Sequence, residues 1–337
     1  MKAPKSPGVS LAQVAKAAGV SKMTASRVLR DASGFSDGTR DRVMQEVDRL
    51  GYVRNSIAAV FGSEQVSTIV GLSVPYLSSS LFGSVMDSLN DALARLGYQT
   101  MIGAHENRAE TEEAWIRTIL SWQPAGLILS GHRHTQGTRE LLRARGIPVV
   151  EIWNLNTSPI DMSVGFNHFD CGYEMGEYVL AKGYKAIGYV GADALSPGLG
   201  AVRKEGFLRA LHSAGTGFVA EEVLKDRGGF YAGFYGTENV LNRNAGLDAI
   251  YYQDDEMAIG GISYCQQNGL NVPDDIGIAG WGGMKAASIL PQRLTSTVVD
   301  THALGRMAAE ALIARIQGQH TDDVLIIPAR LAPGNTV

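Results

Sequence analysis

The chain has 337 residues, 45% hydrophobic and 19% charged with 40 glycines, a composition that argues against wholesale disorder. A single core stops growing near roughly 250–300 residues, so more than one domain is expected. The net charge of −4 excludes a uniformly basic nucleic-acid coat, and no apolar run approaches the ~18–20 residues of a membrane helix.

The charge is segregated along the chain. Residues 1–65 hold ten Lys and Arg against six Asp and Glu, a net of +4, whereas the remainder carries −8. A small basic head on a large acidic body points to a polyanion partner for the head alone. Residues 1–8 have no apolar stretch behind their lysines, so a flexible N-terminus rather than a secretory leader is expected. Ser10 can cap a first short helix, with Leu11, Val14, Ala15 and Ala18 on one face. Gly19 breaks that helix, and Ser21 can cap a second one over 22–30, which turns Ala25, Val28 and Leu29 inward. Two short helices around a tight turn make a helix-turn-helix, whose second helix enters the major groove. On its outer face Arg27 can bind a guanine edge, Lys22 a base or phosphate, and Met23 an apolar base edge. Ser10, Ser21, Thr24 and Ser26 suit phosphate contacts. A third helix over 36–50 offers Val43, Val47 and Leu50 to close a small core.

From Val9 to Leu29 this head resembles the DNA-binding domain of the lactose-repressor (LacI/GalR) family, and Gly51-Tyr52, Asn55 and Ala58 continue the match into the hinge. The resemblance implies a head over 9–54 and a hinge over 55–65 that becomes helical when two subunits meet on a pseudopalindromic operator. It places Phe61 where the family wedges a leucine into the minor groove. Arg54 stands at the family's usual proline and can add a phosphate contact.

After Gln65 apolar runs at 69–74, 100–103, 126–129, 148–152, 187–190, 248–252 and 276–280 alternate with helical stretches such as 82–96, 110–122, 171–181, 201–214 and 256–268. Alternation at this spacing means parallel sheets covered by helices on both faces, and some 270 residues of it suggest two lobes. Open sheets of this kind bind ligands at the carboxyl ends of their strands, which places the site in a cleft between the lobes. The expected architecture is a small all-α helix-turn-helix domain followed by an α/β two-lobed, periplasmic-binding-protein-like effector and dimerisation domain over 66–337. Crossovers near Gly165, Pro291 and Pro328 would assign 66–164 and 292–327 to the first lobe, and 165–291 and 328–337 to the second. That arrangement sends the strand 294–299 and its following helix back to the first lobe.

Within the family the middle of the chain resembles the gluconate-type repressors, through Gln99-Thr100-Met101, Leu120-Ser121-Trp122, His134-Thr135, the run Gly146 to Glu151 and the run Asp161 to Phe166. The resemblance implies a sugar-acid effector of the gluconate or ketogluconate class. It aligns Arg203 with the family arginine that points into the cleft, and a guanidinium can bind a carboxylate bidentately. It aligns Asp254-Asp255 with an Asn-Asp pair that grips sugar hydroxyls, although both aspartates also suit helix capping. Trp281 can stack on a sugar face, and Gly282 beside it lacks a side chain that many relatives use, leaving expected room for a larger ligand or a water. Phe82, Arg133, His134, Glu151 and Asn167 fall where the family lines its cleft.

His132 and His134, or the acids 254–256, lack third and fourth ligands for a metal, and no nucleophile elbow, Walker loop or dinucleotide fingerprint occurs. Neither an enzyme nor a cofactor is therefore expected. The sequence points to a cytoplasmic homodimeric repressor that binds operator DNA under the control of a sugar acid. A free-standing sugar-binding protein, or a regulator that answers to a neutral sugar, is the alternative. The absence of a trailing heptad helix after residue 332 argues against tetramers.

Overall fold

The computed structural model describes residues 9–29, 33–52, 67–78, 80–131, 133–192, 198–225 and 228–337. The chain divides into two compact units, Met1–Val66 and Ser67–Val337.

The head folds from local signals. Helix α1 (Leu11–Ala17) starts at a capping box in which Ser10 and Gln13 satisfy each other's backbone N–H groups. Gly19 takes a φ of +66° in the turn, and Ser21 Oγ accepts from Thr24 N at 3.0 Å to start α2 (Lys22–Leu29). Ser36 caps α3 (Asp37–Leu50), which ends on Gly51 at a φ of +63°. Val14, Ala15, Ala18, Ala25, Val28 and Val43 are buried together, with Val47 and Leu50 packed against them. The expected three-helix core is what forms.

The larger unit holds two six-stranded sheets. In the first, β1 (Ile69–Val74), β2 (Gln99–Ala104), β3 (Gly126–Ser130), β4 (Val149–Asn154), β5 (Met162–Phe166) and β11 (Val324–Ile326) lie in the order β11-β5-β4-β3-β1-β2. All of its pairings are parallel. The second takes β6 (Ile187–Ala192), β7 (Ala220–Leu224), β8 (Ala249–Tyr252), β9 (Gly277–Gly282), β10 (Thr295–Val299) and β12 (Ala329–Ala332) in the order β12-β10-β9-β8-β6-β7. Only β10–β12 is antiparallel there. Helices α4 (Ser80–Arg95), α5 (Ala109–Leu120) and α6 (Gln136–Arg145) belong to the first lobe, and α7 (His168–Ala181), α8 (Leu199–Ser213), α9 (Phe230–Arg243) and α10 (Asp255–Gln267) to the second. Helix α11 (Thr301–Ile316) packs on α4 and on β3, β4 and β5.

One crossover differs from expectation. The segment 294–299 does not return to the first lobe: β10 pairs in parallel register with β9, Thr295 opposite Ala279, and Ser296 hydrogen-bonds Asp255. The chain crosses at Asp300, which caps α11, so Pro291 is internal to the second lobe. Sheet membership is decided by pairing partners distant in sequence, and a Pro-flanked loop only imitates the boundary. The other crossovers fall after β5 and between β11 and β12.

In the second lobe α7 crosses α8 at glycines. A Cβ on Gly172 would collide with the Arg203 carbonyl, and one on Gly206 with that of Phe169. This close crossing fixes where α8 carries Arg203. Among the described residues no helix is long and apolar enough to cross a membrane.

Candidate functional sites

The recognition surface of the head is the outer face of α2. Lys22 and Arg27 are exposed there and Met23 is 72% exposed, with no acidic residue in the first turn. Ser21 and Thr24 share a hydrogen bond at 2.9 Å, and Ser26 is half-buried. Arg27 folds back along the loop to α3, its Nη2 donating to the Ser33 carbonyl at 2.6 Å. Gly34 makes room for it, since a Cβ there would meet the guanidinium. Ser10 is engaged in the α1 cap. Arg54, Asn55, Ala58 and Phe61 lie outside the described residues.

In the larger unit the carboxyl ends of the strands face a cavity of about 260 Å³ between the lobes. Tyr76, Ser80 and Phe82 line it from the first lobe, and Gln253, Asp254, Glu256 and Trp281 from the second. Ser80 Oγ donates to Glu256 Oε1 at 2.6 Å, joining the lobes across its rim. Asp254 caps α10 through Met257 N at 2.9 Å, and burial raises its carboxyl to about 6 against the pull of that N–H. Asp255, also on the lining, is a structural knot. It accepts from Ser296 Oγ at 2.6 Å and from Met284 N at 2.7 Å, and burial raises its pKa too.

Arg203 stands behind this wall rather than on it. It is 4% exposed and does not line the cavity. The Trp281 ring covers the guanidinium, with Cζ 3.6 Å from the ring centroid, a cation–π contact. Nη1 donates to His168 Nδ1 at 2.9 Å, which leaves the His168 proton on Nε2, and Nη2 donates to the Gln253 carbonyl at 2.8 Å. An aromatic row continues across the lobes from Trp281 to Phe166 (5.8 Å between centroids), Trp153 and Phe82. Trp153 holds a φ of +83°, a strained backbone for a bulky residue, of the kind that concentrates at ligand sites.

Of the expected cleft residues, Phe82, Asp254, Asp255 and Trp281 meet at the cavity. Besides Arg203, the other four do not line it. Asn167 caps α7 at the first crossover, accepting from Phe169 N and Asp170 N. Arg133 is exposed away from the cavity lining. His134 and Glu151 are buried inside the first lobe: His134 Nδ1 lies 2.6 Å from Glu112 Oε2, and Nε2 lies 3.1 Å from Glu151 Oε1. Burial alone would lower the His134 pKa, but the two carboxylates outweigh it and raise it to about 9. Ser73 Oγ donates to Glu112 and Asn156 Nδ2 to Glu151, both at 2.8 Å. The polar residues that imitate a cleft lining are therefore a compensated ionic cluster, since buried carboxylates need a cation. Gly282 also departs from expectation, because a Cβ there would collide with Leu81, so that side chain already occupies the gap. Trp153, Gln253 and His168 were not singled out from the sequence. The position of Trp153 and Gln253 at or just beyond strand ends was the available signal.

Residues 10–55 match the bacterial regulatory proteins of the lacI family, and residues 67–333 match the periplasmic binding proteins and sugar binding domain of LacI family. The HTH-type transcriptional regulator GntR of Escherichia coli is 31% identical over 97% of this chain and 98% of its own length. A LacI family transcriptional regulator from Silicibacter pomeroyi superposes with a TM-score of 0.92 at 33% identity, over 97% of this chain and 99% of that one. The lac repressor dimer bound to operator shares the fold, with a TM-score of 0.83 at 24% identity over 97% of this chain and 98% of that one. With its helix-turn-helix head and two-lobed α/β body, the chain belongs to the LacI family of DNA-binding transcriptional regulators and is not an enzyme.

Proposed function

We propose that this regulator is a repressor whose operator affinity is set by a sugar acid of the gluconate or ketogluconate class, bound between the lobes. The observation that carries the reading is Arg203, a buried guanidinium at the cleft that forms no ion pair with a carboxylate among the described residues. Its hydrogen bonds go to neutral acceptors, so an anion entering the cleft gains a charge-assisted partner. The gluconate-type resemblance of the middle of the chain and the GntR relative support the same class. Lys22, Met23 and Arg27 read base edges, Ser10, Ser21, Thr24 and Ser26 set register on phosphates, and Arg54, Asn55, Ala58 and Phe61 form the hinge that enters the minor groove. The head over 9–54 and hinge over 55–65 serve as the DNA-binding part.

The functional unit is a homodimer on a pseudopalindrome. Tyr231, 82% exposed, with Phe230 and Tyr235 gives α9 an apolar outer face, and Ile289 of the same lobe is 83% exposed, which supports an uncovered contact surface. An effector can shift DNA binding only if it prefers one lobe arrangement to the other.

A specific observation favours a second reading. Asp254 and Glu256 face the cavity, and carboxylates there suit the hydroxyls of a neutral sugar. A thermal-shift panel of gluconate, 2-ketogluconate, 5-ketogluconate, glucose and ribose separates the two. Stabilisation by the acids alone is expected. Stabilisation by a neutral sugar alone overturns the sugar-acid reading.

A further inference from the structure

Arg203 and Trp281 together describe a site that is closed to the charge it is built to hold. The guanidinium lies at the centre of the second lobe, with Trp281 over it, His168 at Nη1 and the Gln253 carbonyl at Nη2. The neighbouring Tyr251 hydroxyl is buried beside the guanidinium and interacts with it. The nearby carboxylates are committed elsewhere, Asp254 to the α10 cap and Asp255 to Ser296 and Met284. The direct contacts of the guanidinium are to an indole face and to neutral acceptors, and Asp254 and Asp255 act on it through space without touching it. Trp281 is 4% exposed and lines the cavity, with its indole N–H toward the buried Cys171 thiol. The indole thus separates the cation from the space a ligand enters.

We infer that Trp281 is the specificity-determining gate of the cleft: its indole screens Arg203, and turning it aside delivers the guanidinium to a carboxylate ligand. The inference rests on the reading of the cleft as an effector site and adds how that site chooses between charge classes. With the indole in place the cavity offers Asp254, Glu256, Ser80 and Tyr76, which suit hydroxyl groups and repel an anion. With the indole displaced, the same cavity gains a cation at its floor. A neutral sugar is held without moving Trp281, whereas an acid is held only at the expense of the cation–π contact, so the tryptophan penalises every acid whose carboxylate is too weak a competitor. Simple carboxylates are refused, and an acid that adds hydroxyl contacts to Asp254 and Glu256 is admitted.

The test uses the full chain and its Trp281→Ala, Trp281→Phe and Trp281→Ala/Arg203→Met variants, each first shown by circular dichroism and a cooperative melt to be folded. Affinities for gluconate, acetate and glucose are measured by calorimetry. Removing the indole should tighten acetate and gluconate at least tenfold without tightening glucose. Phenylalanine should retain most of the screen, and the added Arg203→Met change should abolish the gain. If Trp281→Ala weakens gluconate or leaves all three affinities unchanged, Trp281 is a stacking platform or a packing residue and the gate is refuted. Acetate keeps this outcome separate from the choice of effector. If gluconate binds no variant but acetate binds Trp281→Ala in an Arg203-dependent way, the sugar-acid reading falls and the gate stands. Should Trp281→Ala fail to fold, Trp281→Phe and Trp281→Leu carry the comparison, and the same tightening of acetate in the leucine variant is required.

Discussion

Replacing His134 with glutamine should change how stability depends on pH, by an amount the structure sets. His134 is sandwiched between Glu112 and Glu151, all three nearly inaccessible to solvent, and its pKa rises from 6.5 to about 9. At about 1.4 kcal/mol for each pH unit of pKa difference, that shift is linked to roughly 3 kcal/mol of folding free energy. Because the folded-state pKa is the higher one, the stabilisation is complete below pH 6.5 and is lost as the pH climbs through 9. Urea unfolding of the full chain from pH 6 to pH 9.5, followed by tryptophan fluorescence, should show the wild type losing about 3 kcal/mol relative to His134→Gln across that range. At pH 6 the variant should be the less stable by roughly 3 kcal/mol or more, since two buried carboxylates lose the charged imidazolium between them. Parallel pH profiles for the two proteins would refute a charged His134. His105 provides an internal contrast: burial, its largest influence, holds its pKa below the usual histidine range, so His105→Gln should instead relieve a loss of stability at acid pH.

Three further outcomes are expected. Gly172→Ala places a methyl group against the Arg203 carbonyl and should destabilise the body by about 1–3 kcal/mol in the same urea assay, with weakened effector binding because α8 carries Arg203. On operator DNA, Arg27→Ala should cost about 1–3 kcal/mol and relax the preference at one base pair, whereas Lys22→Ala, if Lys22 holds a phosphate, should weaken all sequences alike and lower the salt slope by about 1. Phe61→Ala should reduce operator affinity in gel shifts while leaving calorimetric effector binding unchanged, and unaltered operator affinity would remove its wedge role.

The head was legible in the sequence because every signal in it is local. Ser10 with Gln13, Gly19, and Ser36 three residues before Thr39 each act within one turn of chain, and the structure uses all of them. The alternation of strands and helices was legible for the same reason, since strand and helix periods are short-range. What failed depends on distant partners. Strand β10 joins the second lobe through its pairing with β9, and the loop before it, with its single Pro291, carries no trace of that choice. His134 and Glu151 were expected in the cleft because they fall where the family lines it. Their third partner, Glu112, sits on a helix where one more acid gives no signal. Arg203 and Trp281 were both identified as cleft residues, but only the fold shows that one covers the other.

The central claim, an operator affinity governed by a sugar acid, is tested most directly by titrating the full chain onto fluorescent duplex DNA from the upstream region of its own gene. The titration is run at fixed salt, with and without the acid that protects the protein in the thermal panel. The account predicts sequence-specific binding to one palindrome whose apparent Kd changes at least tenfold with gluconate or a ketogluconate and does not respond when Arg203 is replaced by methionine. An operator affinity that stays the same with and without every acid, or that responds equally in the Arg203→Met variant, would contradict it.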